Sequence, residues 1–171
     1  LPESISMPIH KTTSDDQTKQ NFLFDFMESS ISKSVVEEVI TDTCLQDIRN
    51  DIGDCQRCKL SPTRQNIVFG DGNPNPDLVF VGEAPGADED RQGLPFVGRS
   101  GKLLDLMFAS IGFSREKNLY ISNIIPWRPP GNRQPTSAET AICLPFIQRH
   151  IELVHPQYLV FVGGVAAQAL M

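Results

Sequence analysis

The chain of 171 residues is 40% hydrophobic and 21% charged, with four cysteines and a net charge of −6, ordinary values for a protein with one buried core. No apolar run is long enough to span a bilayer, and the first ten residues do not read as a secretory signal. Cys44, Cys55, Cys58 and Cys143 are too few and too unevenly spaced for a secreted disulfide scaffold, which points to a reducing compartment.

Acidity argues against a nucleic-acid partner only if it is evenly spread. Here it is not. Residues 1–54 carry 4 Lys/Arg against 11 Asp/Glu, whereas residues 55–171 carry 11 against 10. A local basic face of Arg91, Arg99, Lys102, Arg128 and Arg133 is therefore compatible with the composition, and transient DNA sampling needs few phosphate contacts.

Residues 1–20 are polar and read as a tail or linker. Residues 21–51, with Phe22, Phe26, Val35, Val36, Val39 and Ile40, show the spacing of one or two amphipathic helices, a candidate arm for an unknown protein partner. This extension, 1–51, is set apart from a domain over 52–171 that opens with a Cys-containing loop. Ile67–Gly70 is expected as a short strand, followed by turn residues 71–77. Leu78–Gly82 is a continuous apolar run, as a buried parallel strand would be. Residues 100–112 are expected as a helix with Leu103, Leu104, Met107 and Ile111 on its inner face. Leu119–Ile125 is a second buried strand. Thr136 and Glu139 form a capping box opening a helix to about residue 154, which His155-Pro156 terminates. Tyr158–Val162 is expected as a third buried strand, and Gly163-Gly164 leads into another helix. Strands alternating with helices predict an α/β fold with a parallel sheet.

In such sheets the working loops leave the carboxyl ends of the strands. The loop from Gly82 to Gly101 holds five glycines and two prolines in twenty positions, as a backbone held close to a ligand would. A long surface turn with a solvated acidic run is the plainer alternative. Phe96, between Pro95 and Gly98, would offer a flat ring a stacking platform. Asn123 stands in an otherwise apolar strand. Its amide either bonds neighbouring backbone or, with one donor and one acceptor, reads the edge of a pyrimidine. No phosphate-binding loop of the G-x-x-x-x-G-K-[ST] or G-x-G-x-x-G type is present.

The segments GEAPGADEDRQGLPFVGRSGKLLD, from Gly82, and NIIPWRPPGNRQPT, from Asn123, together with Cys143, resemble the family 4, iron–sulfur type uracil-DNA glycosylases. The resemblance covers about 120 of the 171 residues, and the N-terminal extension is similar to that of the longer alphaproteobacterial form. It implies a three-layer α/β sandwich with a central parallel four-stranded sheet. It also implies a monomeric, cytoplasmic, nucleoid-associated bacterial enzyme that hydrolyses the glycosidic bond of uracil in DNA after base flipping. A non-catalytic nucleic-acid- or partner-binding protein on the same fold is the alternative.

Residue by residue, the resemblance makes Phe96 the aromatic that stacks on uracil and Asn123 the amide that reads its edge. Gly82 and Ala84 fall in the base pocket, Ala84 standing where other branches have a water-activating Asp. Glu83 and Glu89 become candidate catalytic carboxylates. Arg128, Asn132 and Arg133 become DNA contacts. Cys55, Cys58 and Cys143 match three of four ligands of a [4Fe-4S] cluster, and Trp127 stands at the remaining ligand position. Trp127 would then fill the vacated volume by packing. The family's later His-Pro-Ser segment is not found before Met171. The start at Leu1 and the apolar pattern still running at Met171 lead us to expect a piece truncated at both ends, poorly active if it ends there.

Overall fold

The computed structural model describes residues 44–171. The expected helices over 21–51 therefore fall outside the described residues except for their last part. That part is α1 (Leu45–Asp54), which runs through the boundary drawn at 51/52 and buries Ile48 and Ile52 in the main core.

Four strands form one sheet in the order β1-β3-β2-β4: β1 (Asp71–Gly72), β2 (Leu78–Gly82), β3 (Leu119–Asn123) and β4 (Tyr158–Phe161). Every residue of β2 and β3 is buried, so β2 reads as an unbroken apolar run and β3 as one ending in Ser122 and Asn123, whereas β4, expected to be buried, is an edge strand that alternates exposed and half-buried residues. β2 pairs in parallel with β3 and β4, whereas β1 is antiparallel to β3, so the sheet is mixed and mostly parallel. The strand expected at Ile67–Gly70 is displaced to Asp71–Gly72. Residues 67–70 pack instead as irregular chain, with the Val68 amide donating to the Pro126 carbonyl at 2.8 Å.

Helices join the strands: α2 (Ala87–Gln92), α3 (Arg99–Ser110), α4 (Ser137–Val154) and α5 (Gly164–Leu170). One apolar layer contains Val79, Val81 and Tyr120 with residues of α1, α4 and α5; the other contains Leu78, Phe80, Leu119 and Ile121 with Phe108 of α3. The architecture is thus α/β with helices on both faces of the sheet. The capping box of α4 forms as expected: the Glu139 amide donates to Thr136 Oγ1 (3.2 Å) and the Thr136 amide to Glu139 Oε2 (2.8 Å). His155 closes the helix in the left-handed conformation (φ 51°), ahead of Pro156.

The inner face expected for α3 is corrected. Leu103, Met107 and Ile111 are exposed; Gly101, Leu104 and Phe108 face the sheet. The reason is steric. A Cβ at Gly101 would lie 1.8 Å from the Phe96 carbonyl oxygen, so only glycine lets the helix approach there, and the Phe108 ring meets Phe80 edge to face at 5.3 Å. Those two contacts fix the helix rotation and leave Leu103, Met107 and Ile111 in solvent.

On the opposite face, buried His150 shares a hydrogen bond with the Tyr120 hydroxyl (2.9 Å) and stacks on Phe69 at 4.2 Å. Burial pulls its pKa down to about 4. Burial, with Asp71 adding and Arg49 opposing, pushes the Tyr120 hydroxyl well above its ordinary value. The folded state therefore resists protonating His150, while the unfolded chain takes up that proton near pH 6.5. Stability is complete above pH 6.5, falls as pH drops, and levels off near pH 4, a loss on the order of 3 kcal/mol. Urea unfolding midpoints measured from pH 7 to 4 should fall accordingly. In H150Q the part of the decline between pH 6.5 and 4 should largely disappear.

Candidate active site

The carboxyl ends of β2 and β3 meet at Gly82 and Asn123, which are register partners. A Cβ at Gly82 would lie 2.5 Å from both Asn123 Oδ1 and Phe96 Cζ, so the carboxamide and the ring close on one side of a glycine that must stay bare. Asn123 is 4% exposed, and its Oδ1 is buried without a hydrogen-bond partner. Buried acceptors are nearly always paired. This one stands at the wall of an open cleft of about 400 Å³, lined by Ala84, Glu89, Phe96, Asn123, Asn132 and residues of the intervening loop. That volume suits a ring-sized ligand with part of its sugar.

Phe96 is half-buried and adopts a left-handed backbone conformation (φ 53°), which costs a bulky L-residue roughly 1–2 kcal/mol. Its ring packs edge to face on Phe80 at 5.7 Å. Glu89 holds the loop around it. Its Oε1 accepts from the Val97 and Gly98 amides (2.9 and 2.8 Å), and its Oε2 from the Gly86 amide (3.1 Å). Both oxygens of this carboxylate are thus committed to backbone on either side of the cleft. Glu83 uses its backbone carbonyl to accept from the Ile125 amide (3.0 Å), and its side chain is not part of the cleft wall.

Among the expected DNA contacts, Asn132 lines the cleft, and its Oδ1 accepts from Arg128 Nε at 2.7 Å. Arg133 grips the buried Glu139 through both terminal nitrogens (2.9 and 2.7 Å), which lowers the Glu139 carboxyl pKa to about 2. It thereby braces the loop against α4. Arg99, exposed at the start of α3, also lines the cleft. Sequence reasoning missed Arg115, in the loop between α3 and β3. Its side chain is 15% exposed and donates to the Pro95 and Phe96 carbonyls. Nothing in GFSREKN distinguishes it from a surface arginine.

The cysteines lie on the other side of the sheet. Cys55 and Cys143 are buried in the main core, with Cys58 packed against it. Burial, then the neighbouring Cys58 and Cys55, pushes the Cys143 thiol far above its ordinary value. Trp127, 1% exposed, fills the same core, and the Arg64 guanidinium stacks over its ring at 4.3 Å. Arg64 also donates to the Cys55 and Gly53 carbonyls (3.0 and 2.6 Å), tying the cysteine loop to the tryptophan. Cys44 caps the far end of α1, about 15 Å from Cys55 at 1.5 Å rise per residue, too distant to complete the set. Among the described residues no three His, Cys, Asp or Glu side chains converge in a metal-binding arrangement. The donor set therefore does not fit a four-thiolate cluster.

The Uracil DNA glycosylase superfamily model matches residues 69–171, and the chain belongs to that superfamily. Within it, the chain is 48% identical over 124 residues to the type-4 uracil-DNA glycosylase of Archaeoglobus fulgidus, covering 72% of this chain and 62% of the relative. It is 42% identical over 120 residues to the type-4 enzyme of Sulfurisphaera tokodaii (70% and 54%), and 45% identical over 112 residues to that of Thermotoga maritima (66% and 58%). The chain thus spans less than two thirds of the length of these relatives. Among the described residues no helix is long and apolar enough to cross a membrane.

Protein purified without oxygen and supplied with iron and sulfide should bind no cluster and show no thiolate-to-iron absorbance. W127C, which completes the thiol set, is the variant in which colour and iron should appear. A coloured wild type with four irons per chain would contradict the reading of Trp127.

Proposed function

We propose that the protein containing this cleft removes uracil from DNA by hydrolysing its glycosidic bond. The observation that carries the proposal is the unpaired Asn123 Oδ1 beside the Phe96 ring at the cleft wall, both packed against a glycine whose lack of a side chain allows that approach. A uracil flipped out of the stack would lie on Phe96, and its N–H edge would satisfy the orphaned acceptor. The Asn123 amide group would donate to an adjacent uracil carbonyl, where negative charge grows as the base departs. An interaction that strengthens with that charge lowers the barrier rather than only aiding binding.

Glu89 is committed to three backbone amides, and in this mechanism it organises the loop and contributes a fixed negative field to the oxocarbenium-like sugar. Ala84 supplies no general base, so expulsion of the base leads and water follows. Glu83 stays a candidate for orienting that water once DNA is bound. Arg99, Arg128 and Asn132 around the cleft suit contacts to the flanking phosphates, and Arg133 supports them through Glu139. The partner is uracil-containing DNA, engaged by a monomer in the cytoplasm, at the nucleoid. An unknown protein partner is proposed for the N-terminal extension. No step uses an iron–sulfur cluster.

Uracil release from a single-uracil oligonucleotide by the full-length gene product tests the proposal. F96A should slow release about 10- to 100-fold, the loss of one base–aromatic stack. N123A should cost on the order of 100-fold or more, mainly in kcat. Binding of uracil DNA without any release by folded protein would move the assignment to a non-catalytic binding protein.

A further inference from the structure

Arg115 commits its whole guanidinium to internal contacts. Nε donates to Asp105 Oδ1 (2.9 Å). Nη1 donates to Asp71 Oδ2 (2.9 Å) and the Pro95 carbonyl (2.8 Å). Nη2 donates to the Phe96 carbonyl (2.7 Å) and Asp105 Oδ2 (3.3 Å). These are as many contacts as the side chain has N–H groups, so nothing remains for DNA or solvent. The planar fork matters: two carbonyls in succession and two carboxylates from different elements are met in fixed directions that an ammonium could not reproduce.

The two carbonyls flank the backbone of Phe96, the bulky residue in the left-handed region. From the opposite direction Glu89 binds the next two amides, of Val97 and Gly98. Gly101 closes the space behind the Phe96 carbonyl. A cation thus takes the carbonyls of residues 95 and 96, and an anion takes the amides of residues 97 and 98. Asp71 on β1 and Asp105 on α3 hold the cation in turn, coupling the sheet edge and the helix to the aromatic residue.

We propose that Arg115 is a positioning residue. It holds Phe96 in its left-handed conformation, so that the ring stands ready beside Asn123 before any base arrives. The claim rests on the reading of Phe96 as the platform for the flipped base. Preorganising that ring removes the ordering cost otherwise charged to each binding event.

The test uses the full-length protein and R115M, F96A and the double variant. The first readout is chymotrypsin cleavage at the Phe96–Val97 bond, with other cleavage sites as internal references. It does not depend on activity. The second is the affinity ratio between an oligonucleotide carrying 2′-fluorinated deoxyuridine, which resists cleavage, and the same oligonucleotide carrying thymidine. R115M should open the Phe96–Val97 bond to protease selectively and lower the uracil preference about tenfold or more, with affinity for the thymidine strand unchanged. In the double variant the preference should fall no further than in F96A, because the two residues act as one unit. Unaltered cleavage at Phe96, together with losses that multiply in the double variant, would overturn the proposal. If wild type and F96A alike show no uracil preference while R115M still exposes the bond, the base-stacking reading fails and the clamp on Phe96 stands. Should R115M not fold, R115K takes its place with the same readouts and the same expected directions. It keeps a charge for Asp71 and Asp105 but cannot span both carbonyls.

Discussion

The parallel register of β2 and β3 sets Gly82 opposite Asn123, and the cleft depends on that pairing. Side chains alternate faces along a strand, so a slip of one residue would send the Asn123 amide into the layer of α1 and α4. The same slip would set Asn123 opposite Val81 or Glu83 instead of the bare Gly82, and the close approach that a glycine allows there would be lost. Because both strands are buried on both faces, the register is held by packing from two sides, and the glycine–asparagine pair at their ends inherits the rigidity of the core.

Around this point, charged and polar side chains are used mainly to hold backbone. Glu89 takes three amides, Arg115 takes two carbonyls, and the Asp90 carboxylate accepts from the amides of Gln65 and Asn66. The Ser122 hydroxyl donates to the Phe69 carbonyl at 2.7 Å. Loops rich in glycine cannot fill their own volume, and long polar side chains from neighbouring elements give them fixed partners instead. Against this pattern of satisfied groups the orphaned Asn123 acceptor stands out. In a low-dielectric surrounding it loses the most by staying unpaired and gains the most from a ligand.

The opposite face of the sheet performs the work of stability. Trp127 packs where the resemblance places a metal ligand, and Arg64 covers its face while binding the carbonyls at the end of α1. Aromatic burial and a cation over the ring hold the cysteine loop without thiolate–metal bonds. His150 and Tyr120 form a second buried polar pair in the same layer, sustained by each other and by stacking on Phe69. The indole N–H of Trp127 has no partner, a cost that its apolar contacts must exceed.

By itself the sequence determined the order of the three longer strands and of helices α3, α4 and α5, and the capping box at Thr136 and Glu139; the segment 82–101, read as one loop, holds α2. The sequence also determined the superfamily, through motifs whose glycines, Phe96 and Asn123 stand at fixed spacings. These are local or periodic features, written in neighbouring residues. Only the tertiary structure decided which face of α3 turns inward, because Gly101 against the Phe96 carbonyl is a contact between backbones that apolar spacing does not encode. It alone showed that Glu89 binds amides, that Arg133 binds Glu139, and that Arg115 binds Phe96. A charged side chain looks the same in sequence whether it meets solvent, substrate or backbone. Its role is set by which groups the fold brings within about 3 Å, close enough for a hydrogen bond to outweigh the loss of water.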